Sequence, residues 1–212
     1  MTIFSTQYHQ KRGGFSPEAK SPTSSKPPKF LWLVNYFEFF ELPVAFCLNE
    51  ADLKQRFYRN SKKFHPDYYT LHSEEKQDEI LELSTLNNQA YRTLSDFDLR
   101  MKYVLELKNA LADEGKNKLP QEFLMEMMEL NESLMELESG FDQLTSDRLR
   151  QQVKNLEEKS LNAILPLLEN YDDKTVVPED LHVVKDFYLK KRYLLRFLEN
   201  LDRFAPASTE AP

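Results

Sequence analysis

The sequence predicts an all-α protein in which a helical hairpin domain precedes an antiparallel three-helix bundle. Only four of the 212 residues are glycine, which argues against a β-sandwich, a β-barrel or a glycine-rich phosphate loop. Leucine, glutamate and lysine are abundant, and these are strong helix formers. From Asn35 onward the apolar residues recur with the period of an α-helix. We therefore predict the hairpin domain over residues 35–108, a linker over 109–119 and the bundle over 120–204.

The hairpin domain is predicted to contain four helices. A first short helix begins at Tyr36 and ends before Pro43, because proline disfavours helical geometry in the residue that precedes it. Asn49 is a good N-cap for a second helix, which runs to about Phe64. Ser73 is the expected cap of the third helix. A short fourth helix is expected to start at Ser95, with Asp98 in its first turn.

Two asparagines stand in the apolar stripes of the second and third helices, where apolar residues are expected. They are Asn60 and Asn87. Either could be a tolerated residue at the edge of the surface, but a buried amide without a partner costs on the order of 1–3 kcal/mol, so we expect the two side chains to hydrogen-bond to each other.

Beyond the linker, proline and glycine mark the bounds of the bundle helices. Proline is tolerated in a first helical turn and glycine is common just after a last one. Pro166 is expected to kink or interrupt the middle helix. The three predicted helices run from Pro120 to Gly140, from 146 to 171 and from Pro178 to Phe204.

Charge and composition exclude several classes of function. The formal net charge of −7 argues against nucleic acid as a partner. Cys47 is the only cysteine, so an intramolecular disulfide and a zinc knuckle are excluded, and a reducing compartment fits. The longest apolar run, residues 30–40, is too short to cross a bilayer, which needs roughly 20 apolar residues.

The two ends of the chain are predicted to be disordered tails. Residues 1–34 are rich in serine, proline and lysine, and residues 1–29 sum to a charge of +4. We expect a plain basic tail in a bacterial cytoplasmic protein. The alternative is a mitochondrial transit peptide, which would place the protein in the mitochondrial matrix, but the segment has a single arginine and several prolines. Residues 205–212 are the second tail.

The tripeptide His65-Pro66-Asp67 lies between the second and third helices, after a basic helix and before a loop. Pro66 fixes the backbone, while His65 and Asp67 can present a hydrogen-bond donor and acceptor to another protein. His72 lies across a loop, so a metal site shared with His65 is a weak hypothesis. No nucleophile–base pair is suggested either. We interpret the turn as a recognition element and not as an active site.

This segment, from about Tyr36 to Leu107, resembles the J domain of DnaJ-type co-chaperones. The whole chain resembles more closely the HscB family, the J-type co-chaperones of iron–sulfur cluster assembly. The acidic, helical C-terminal region is part of that resemblance. The stretches that carry it are Tyr36-Phe37, Asn88-Gln89-Ala90-Tyr91, Thr93-Leu94 and, most specifically, Phe123-Leu124-Met125-Glu126. Metazoan members of the family carry an N-terminal cysteine-rich metal site, and this sequence has none.

The resemblance implies a co-chaperone that is not an enzyme. Its J domain would stimulate ATP hydrolysis by a DnaK/HscA-type chaperone, and its C-terminal bundle would hold an IscU-type cluster scaffold protein. No metal, cofactor, nucleic acid or membrane is expected as a partner, and a monomer is expected. The alternative is a general J-type holdase for unfolded chains. A small helical enzyme is a more distant hypothesis, disfavoured by the lack of clustered carboxylates or Cys/His ligands.

One face of the second helix is predicted to dock the chaperone. Opposite its apolar side it is basic and aromatic, with Arg56 and Lys63 at the flanks. Such a cationic face is suited to an acidic partner, although without the adjacent motif an ordinary solvated face would be the simpler interpretation. The predicted chaperone-binding residues are Lys54, Tyr58, Arg59, Lys62, His65, Pro66 and Asp67.

The first helix of the bundle has more apolar residues than one core face needs. Its core stripe is predicted to be Phe123, Met127, Leu130, Leu134 and Leu137. A second apolar set lies roughly 100° or more round the helix and predicts either a binding patch or a face packed on the rest of the protein. Its positions, together with one tyrosine of the last helix, match those through which the resembled family binds its scaffold client. The predicted client-binding residues are Leu124, Met125, Met128 and Tyr193.

Overall fold

A computed structural model describes residues 35–112 and 116–204, and within them the chain is all-helical, with no strand. The predicted all-α class is therefore confirmed. The predicted tails and residues 113–115 of the linker lie outside the described residues. In order, the elements are α1 (Tyr36–Phe39), α2 (Glu50–Lys63), a 3-10 turn (Pro66–Tyr69), α3 (Glu74–Ser95), α4 (Phe97–Leu107), α5 (Gln121–Ser139), α6 (Gln143–Glu169) and α7 (Pro178–Phe204).

Side-chain caps close the starts of α2 and α4, whereas Ser73, the predicted cap of α3, stands at the N-cap position without a side-chain capping bond. The Asn49 carboxamide oxygen accepts hydrogen bonds from the backbone N–H groups of Ala51 and Asp52, as the sequence predicts. The predicted cap of α4 is wrong by one residue. Asp96 accepts from the backbone of Leu99, whereas the Ser95 hydroxyl bonds back to a carbonyl of α3. Ser95 is still the last residue of α3, so the first residue with the extended backbone of an N-cap is Asp96.

The middle bundle helix, α6, begins earlier than expected and continues through Pro166. Asp142 accepts from the backbone of Thr145, so the helix begins at Gln143 and not at 146. Pro166 lacks a backbone N–H and so removes one helical hydrogen bond. It lies in the last turn, and the helix continues past it to Glu169. The backbone and side-chain amides of Asn170 both donate to the Pro166 carbonyl, and this closes the helix end.

Two hydrophobic cores share α6 and α7. The distal core joins α5 to the start of α6 and the end of α7 through residues such as Met127, Leu149 and Leu201. The proximal core joins α1–α4 to the other halves of the same two helices, so Phe37 and Leu94 belong to one cluster with Leu168. The hairpin domain therefore completes its core with residues of the predicted bundle.

Charged contacts flank the proximal core. The Lys191 ammonium of α7 lies 2.6 Å from an Asp98 carboxylate oxygen of α4 and 3.4 Å from one of Glu157 on α6. Beyond the end of α4, Lys108 lies 2.6 Å from Asp173. The contacts of Lys191 with Asp98 and of Lys108 with Asp173 join residues more than 60 positions apart in the chain, so they fix the N-terminal helices against α6 and α7.

Asn60 and Asn87 are both buried, but the expectation that their side chains bond to each other is wrong. The Asn87 amide nitrogen donates to the Ser61 hydroxyl at 3.0 Å and to the Phe57 carbonyl at 3.3 Å. Its carboxamide oxygen has no hydrogen-bond partner. The Ser61 hydroxyl itself donates to the Phe57 carbonyl one turn back on α2. Its oxygen therefore accepts the hydrogen bond from Asn87 that we expected Asn60 to accept.

Candidate functional site

The His65-Pro66-Asp67 turn is exposed and has a defined local geometry. His65 precedes the 3-10 turn in an extended conformation, and its Nδ1 accepts a hydrogen bond from the Asp67 backbone N–H at 3.3 Å. The same Nδ1 lies 3.8 Å from an Asp67 carboxylate oxygen. Both side chains are more than half exposed, at 53% and 82%. The imidazole and the carboxylate therefore point together into solvent, with Pro66 fixing the backbone between them.

Hydrogen bonds with both neighbouring helices hold this loop. The Tyr69 hydroxyl donates to the Lys63 carbonyl at the end of α2. From α3, the Gln77 side chain donates to the carbonyls of Thr70 and His72. The turn is therefore tied at both ends, which lowers the entropic cost of presenting it to a partner.

The predicted docking face of α2 is exposed along its length. Lys54, Tyr58 and Lys62 follow one another at intervals of four residues, so they form a single stripe that leads to the turn. Tyr58 is 59% exposed. Neither lysine has an ion-pair partner among the described residues. Arg59 is also exposed but pairs with Glu41 at 3.1 Å.

Arg56, predicted to flank this face, does not belong to it. Its guanidinium donates to the carbonyls of Phe40 and Glu41 and to the carboxylate of Asp52. Glu41 has a positive φ of 56°, which turns the chain so that these carbonyls face α2. Arg56 therefore fastens the end of α1 to α2. This role depends on hydrogen bonds to residues that lie 15 and 16 positions earlier in the chain.

On α5, the predicted core and surface sets separate as expected. The five core residues from Phe123 to Leu137 are all buried. The predicted client-binding residues Leu124, Met125 and Met128 are exposed by 44%, 66% and 63%. Three large apolar side chains within five residues form an unusual surface for a helix that already has a complete core face.

Tyr193 of α7 lies against the same helix but is only partly exposed. Its ring meets the Phe123 ring edge-on, with centroids 5.6 Å apart and planes at 85°. Its hydroxyl lies 2.9 Å from the Asn131 amide nitrogen of α5. The structure therefore brings Tyr193 to α5, as the sequence predicts, but as a half-buried and hydrogen-bonded residue.

Sequence reasoning missed two features of this face. Met135 is 66% exposed, and seven residues separate it from Met128, which places both on one line of α5. Periodicity could have identified it, because it lies outside the core stripe. The second feature is a row of carboxylates beside the apolar line, contributed by the exposed residues Glu129, Glu132 and Glu136. We refer to Leu124, Met125, Met128, Met135 and Tyr193 as the α5–α7 face.

The described residues offer no group of three or more His, Cys, Asp or Glu side chains that could hold a metal ion. None of the helices in those residues combines the length and the apolar character that a membrane span requires. The exposed turn, the cationic stripe and the apolar face are all surfaces suited to contact with other proteins.

Known proteins resemble the chain in sequence over most of their length. Residues 119–202 match the family model described as the HSCB C-terminal oligomerisation domain. A co-chaperone protein HscB homolog of Photobacterium profundum is 32% identical over 168 residues, which cover 78% of this chain and 97% of the relative. A homolog of the same description from Psychromonas ingrahamii is 33% identical over 131 residues, covering 59% of this chain and 77% of that protein.

Solved structures agree with these relationships. The chaperone HscB from Vibrio cholerae superposes with a TM-score of 0.58 at 25% identity and covers 80% of this chain and 96% of its own. Human co-chaperone protein HscB has a TM-score of 0.65 over 90% of this chain and 94% of its own, and at 23% identity it supports the fold alone. With an N-terminal helical hairpin that carries His65-Pro66-Asp67 and a C-terminal helical region that matches the family model, the chain belongs to the HscB family of co-chaperones.

Proposed function

We propose that this chain stimulates ATP hydrolysis by a DnaK/HscA-type chaperone, for which His65, Pro66, Asp67 and the stripe of α2 form the docking surface. The observation that carries the proposal is the exposed, tethered turn at the end of that stripe. The exposed lysines of the α2 stripe favour an acidic partner surface and fast association. The chain itself would bind no nucleotide and catalyse no reaction.

The second half of the proposal is that the α5–α7 face binds an IscU-type iron–sulfur scaffold protein. Exposed methionines suit a protein interface, because their side chains adapt to the partner's shape. Carboxylates of Glu129, Glu132 and Glu136 run beside the apolar residues, so the complementary surface on the client should be apolar with a cationic border. An apolar area bordered by charge favours one specific client over a general holdase, which needs a less selective surface.

The proposed client binding is tested with the purified apo scaffold protein and isothermal titration calorimetry. Truncating Leu124, Met125 and Met128 together to alanine should weaken scaffold binding by several kcal/mol, because a few apolar anchors dominate interface energy. Wild-type affinity in the triple variant would refute the client site. If the wild-type chain suppresses aggregation of an unrelated unfolded protein at the same concentrations at which it binds the scaffold, the holdase interpretation is the better one.

The proposed stimulation of ATP hydrolysis is measured with the same purified wild-type and triple-variant chains. Adding the full chain to the purified HscA-type chaperone should raise its rate of ATP hydrolysis, and the triple variant should stimulate equally well in the absence of scaffold. A chain that binds scaffold but leaves the hydrolysis rate unchanged would contradict the first half of the proposal only. The two halves are thus tested separately.

A further inference from the structure

Asn131 is the one α5 side chain that hydrogen-bonds to a side chain of α7 in the described part of the structure. Its amide nitrogen donates to the Met127 carbonyl at 2.8 Å and to the Tyr193 hydroxyl at 2.9 Å. A primary amide has two N–H donors, so both are used. One anchors the side chain to its own helix, one turn back. The other reaches across to α7.

Tyr193 is therefore attached to α5 at two points. Its ring contacts the Phe123 ring and its hydroxyl meets Asn131. These two residues lie eight positions apart, about 12 Å along the helix axis, so the tyrosine must lie along α5. Asn131 follows Leu124 by seven positions, which places both on nearly the same line of the helix. The Tyr193 hydroxyl is thus held on the line of the exposed apolar residues.

We propose that Asn131 is a positioning residue for scaffold binding: by holding the Tyr193 hydroxyl, it keeps the tyrosine beside Leu124 and Met128 in a conformation ready for the client. This inference rests on the proposed function of the α5–α7 face. Tyr193 is partly exposed, so without the bond its ring keeps a single attachment to α5. The client would then have to order the ring on binding, which weakens affinity.

The test is a double-mutant cycle with the purified apo IscU-type scaffold protein and full-length chain. Asn131→Ala and Tyr193→Phe should each weaken scaffold binding by roughly two- to tenfold, the effect of one hydrogen bond. The double variant should be no weaker than the weaker single variant, because both changes remove the same bond. Tyr193→Phe removes only a hydroxyl, so the cycle does not depend on Asn131→Ala alone.

Two controls separate positioning from a general structural effect. Gln151→Ala removes another side-chain hydrogen bond, the one to Asn155 on α6, and should leave scaffold affinity unchanged. Scaffold-independent stimulation of the chaperone ATPase should be the same in all variants, since α5 packs on α6 and α7 and, among the described elements, not on the turn at His65. Thermal melting followed by circular dichroism confirms that each variant is folded.

The inference fails if Asn131→Ala and Tyr193→Phe bind the scaffold within about twofold of wild type while the alanine triple of Leu124, Met125 and Met128 loses binding. Multiplicative losses in the double variant would also overturn it, because independent effects show that no shared bond is involved. If the alanine triple binds normally as well, the proposed client site fails and the inference fails with it.

Discussion

Neighbouring side chains of α5 differ sharply in what their removal should do. Phe123 is 4% exposed and contacts Tyr193, and Lys190 lies over its ring at 5.7 Å. The next residue, Leu124, is 44% exposed. Truncation of a buried side chain leaves a cavity, whereas truncation of an exposed one leaves only a smaller surface. Stability and client binding should therefore be separable within a few residues.

We expect Phe123→Ala to lower the free energy of unfolding by about 3–5 kcal/mol, as core aromatic truncations do. Met128→Ala, a change of an exposed residue on the same helix, should alter it by no more than about 0.5 kcal/mol. Urea denaturation followed by circular dichroism measures both. Comparable losses of stability in the two variants would show that Met128 belongs to the core and not to a binding face.

At the turn, we expect His65→Gln to abolish stimulation of the chaperone ATPase and to leave helix content, melting and scaffold binding intact. The imidazole is exposed and lies outside both cores, so its loss leaves no cavity. His72→Gln, an exposed histidine in the same loop, is the matched control and should stimulate normally. A His65→Gln variant that melts at a clearly lower temperature would point to a structural role instead.

Local signals at the helix ends were predictable from sequence, and long-range contacts were not. The Asn49 cap and the bounds of α7 follow from side-chain chemistry within a few residues of the helix end. Arg56 looks like another surface cation in sequence, because its carbonyl partners belong to a different helix. For the same reason the Asn131–Tyr193 bond, which spans 62 positions, could not be anticipated.

The cationic stripe of α2 has a testable dependence on salt. Reversing the charge of Lys54, Arg59 and Lys62 to glutamate should weaken docking to the chaperone, and wild-type docking should weaken as salt rises. Between about 50 and 300 mM salt the Debye length changes by roughly 2.5-fold, which suffices to reveal the trend in binding titrations. Part of the Arg59 effect should come from repulsion with Glu41, its present partner.

A triple reversal of Arg148, Lys159 and Lys174, exposed cations of α6 and the α6–α7 loop, carries the same change in net charge. It should leave chaperone docking near the wild-type value. Equal weakening in both triples would mean that net charge, and not the α2 stripe, governs the interaction. Docking that is independent of salt would also argue against a cationic docking face.

At the scale of the whole molecule, the sequence predicted the order of helices but not how they share a core. Periodicity identifies which side chains of α6 and α7 are buried, yet it does not tell which partner buries them. The structure assigns Ile164, Leu168 and Val184 to the core of the N-terminal helices. The predicted division into domains at residues 109–119 stays a prediction about sequence organisation. The proximal core contains residues from both sides of it.

Two polar contacts reinforce this shared core at its edge. Burial raises the pKa of Asp173, but hydrogen bonds from Lys108 and Tyr171 lower it more, so its net pKa lies below the usual value. A carboxylate with a lowered folded-state pKa stabilises the fold above the unfolded pKa and loses that contribution as the pH falls. The Tyr171 ring in turn packs edge-on against Phe46 of the proximal core.

Because the proximal core is shared, we expect a cavity in α6 to increase local unfolding of helices in the N-terminal half. Leu168 is 1% exposed, and Leu168→Ala should lower the free energy of unfolding by about 2–5 kcal/mol. Hydrogen exchange measured by mass spectrometry should show faster exchange in α4 as well as in α7, since both line the proximal core. Leu149→Ala is an equally buried truncation on the same helix but in the distal core, so it should affect α5 more than α4. If α4 keeps its wild-type protection in Leu168→Ala while α6 and α7 lose theirs, the N-terminal helices do not depend on α6, and the two halves fold as independent units.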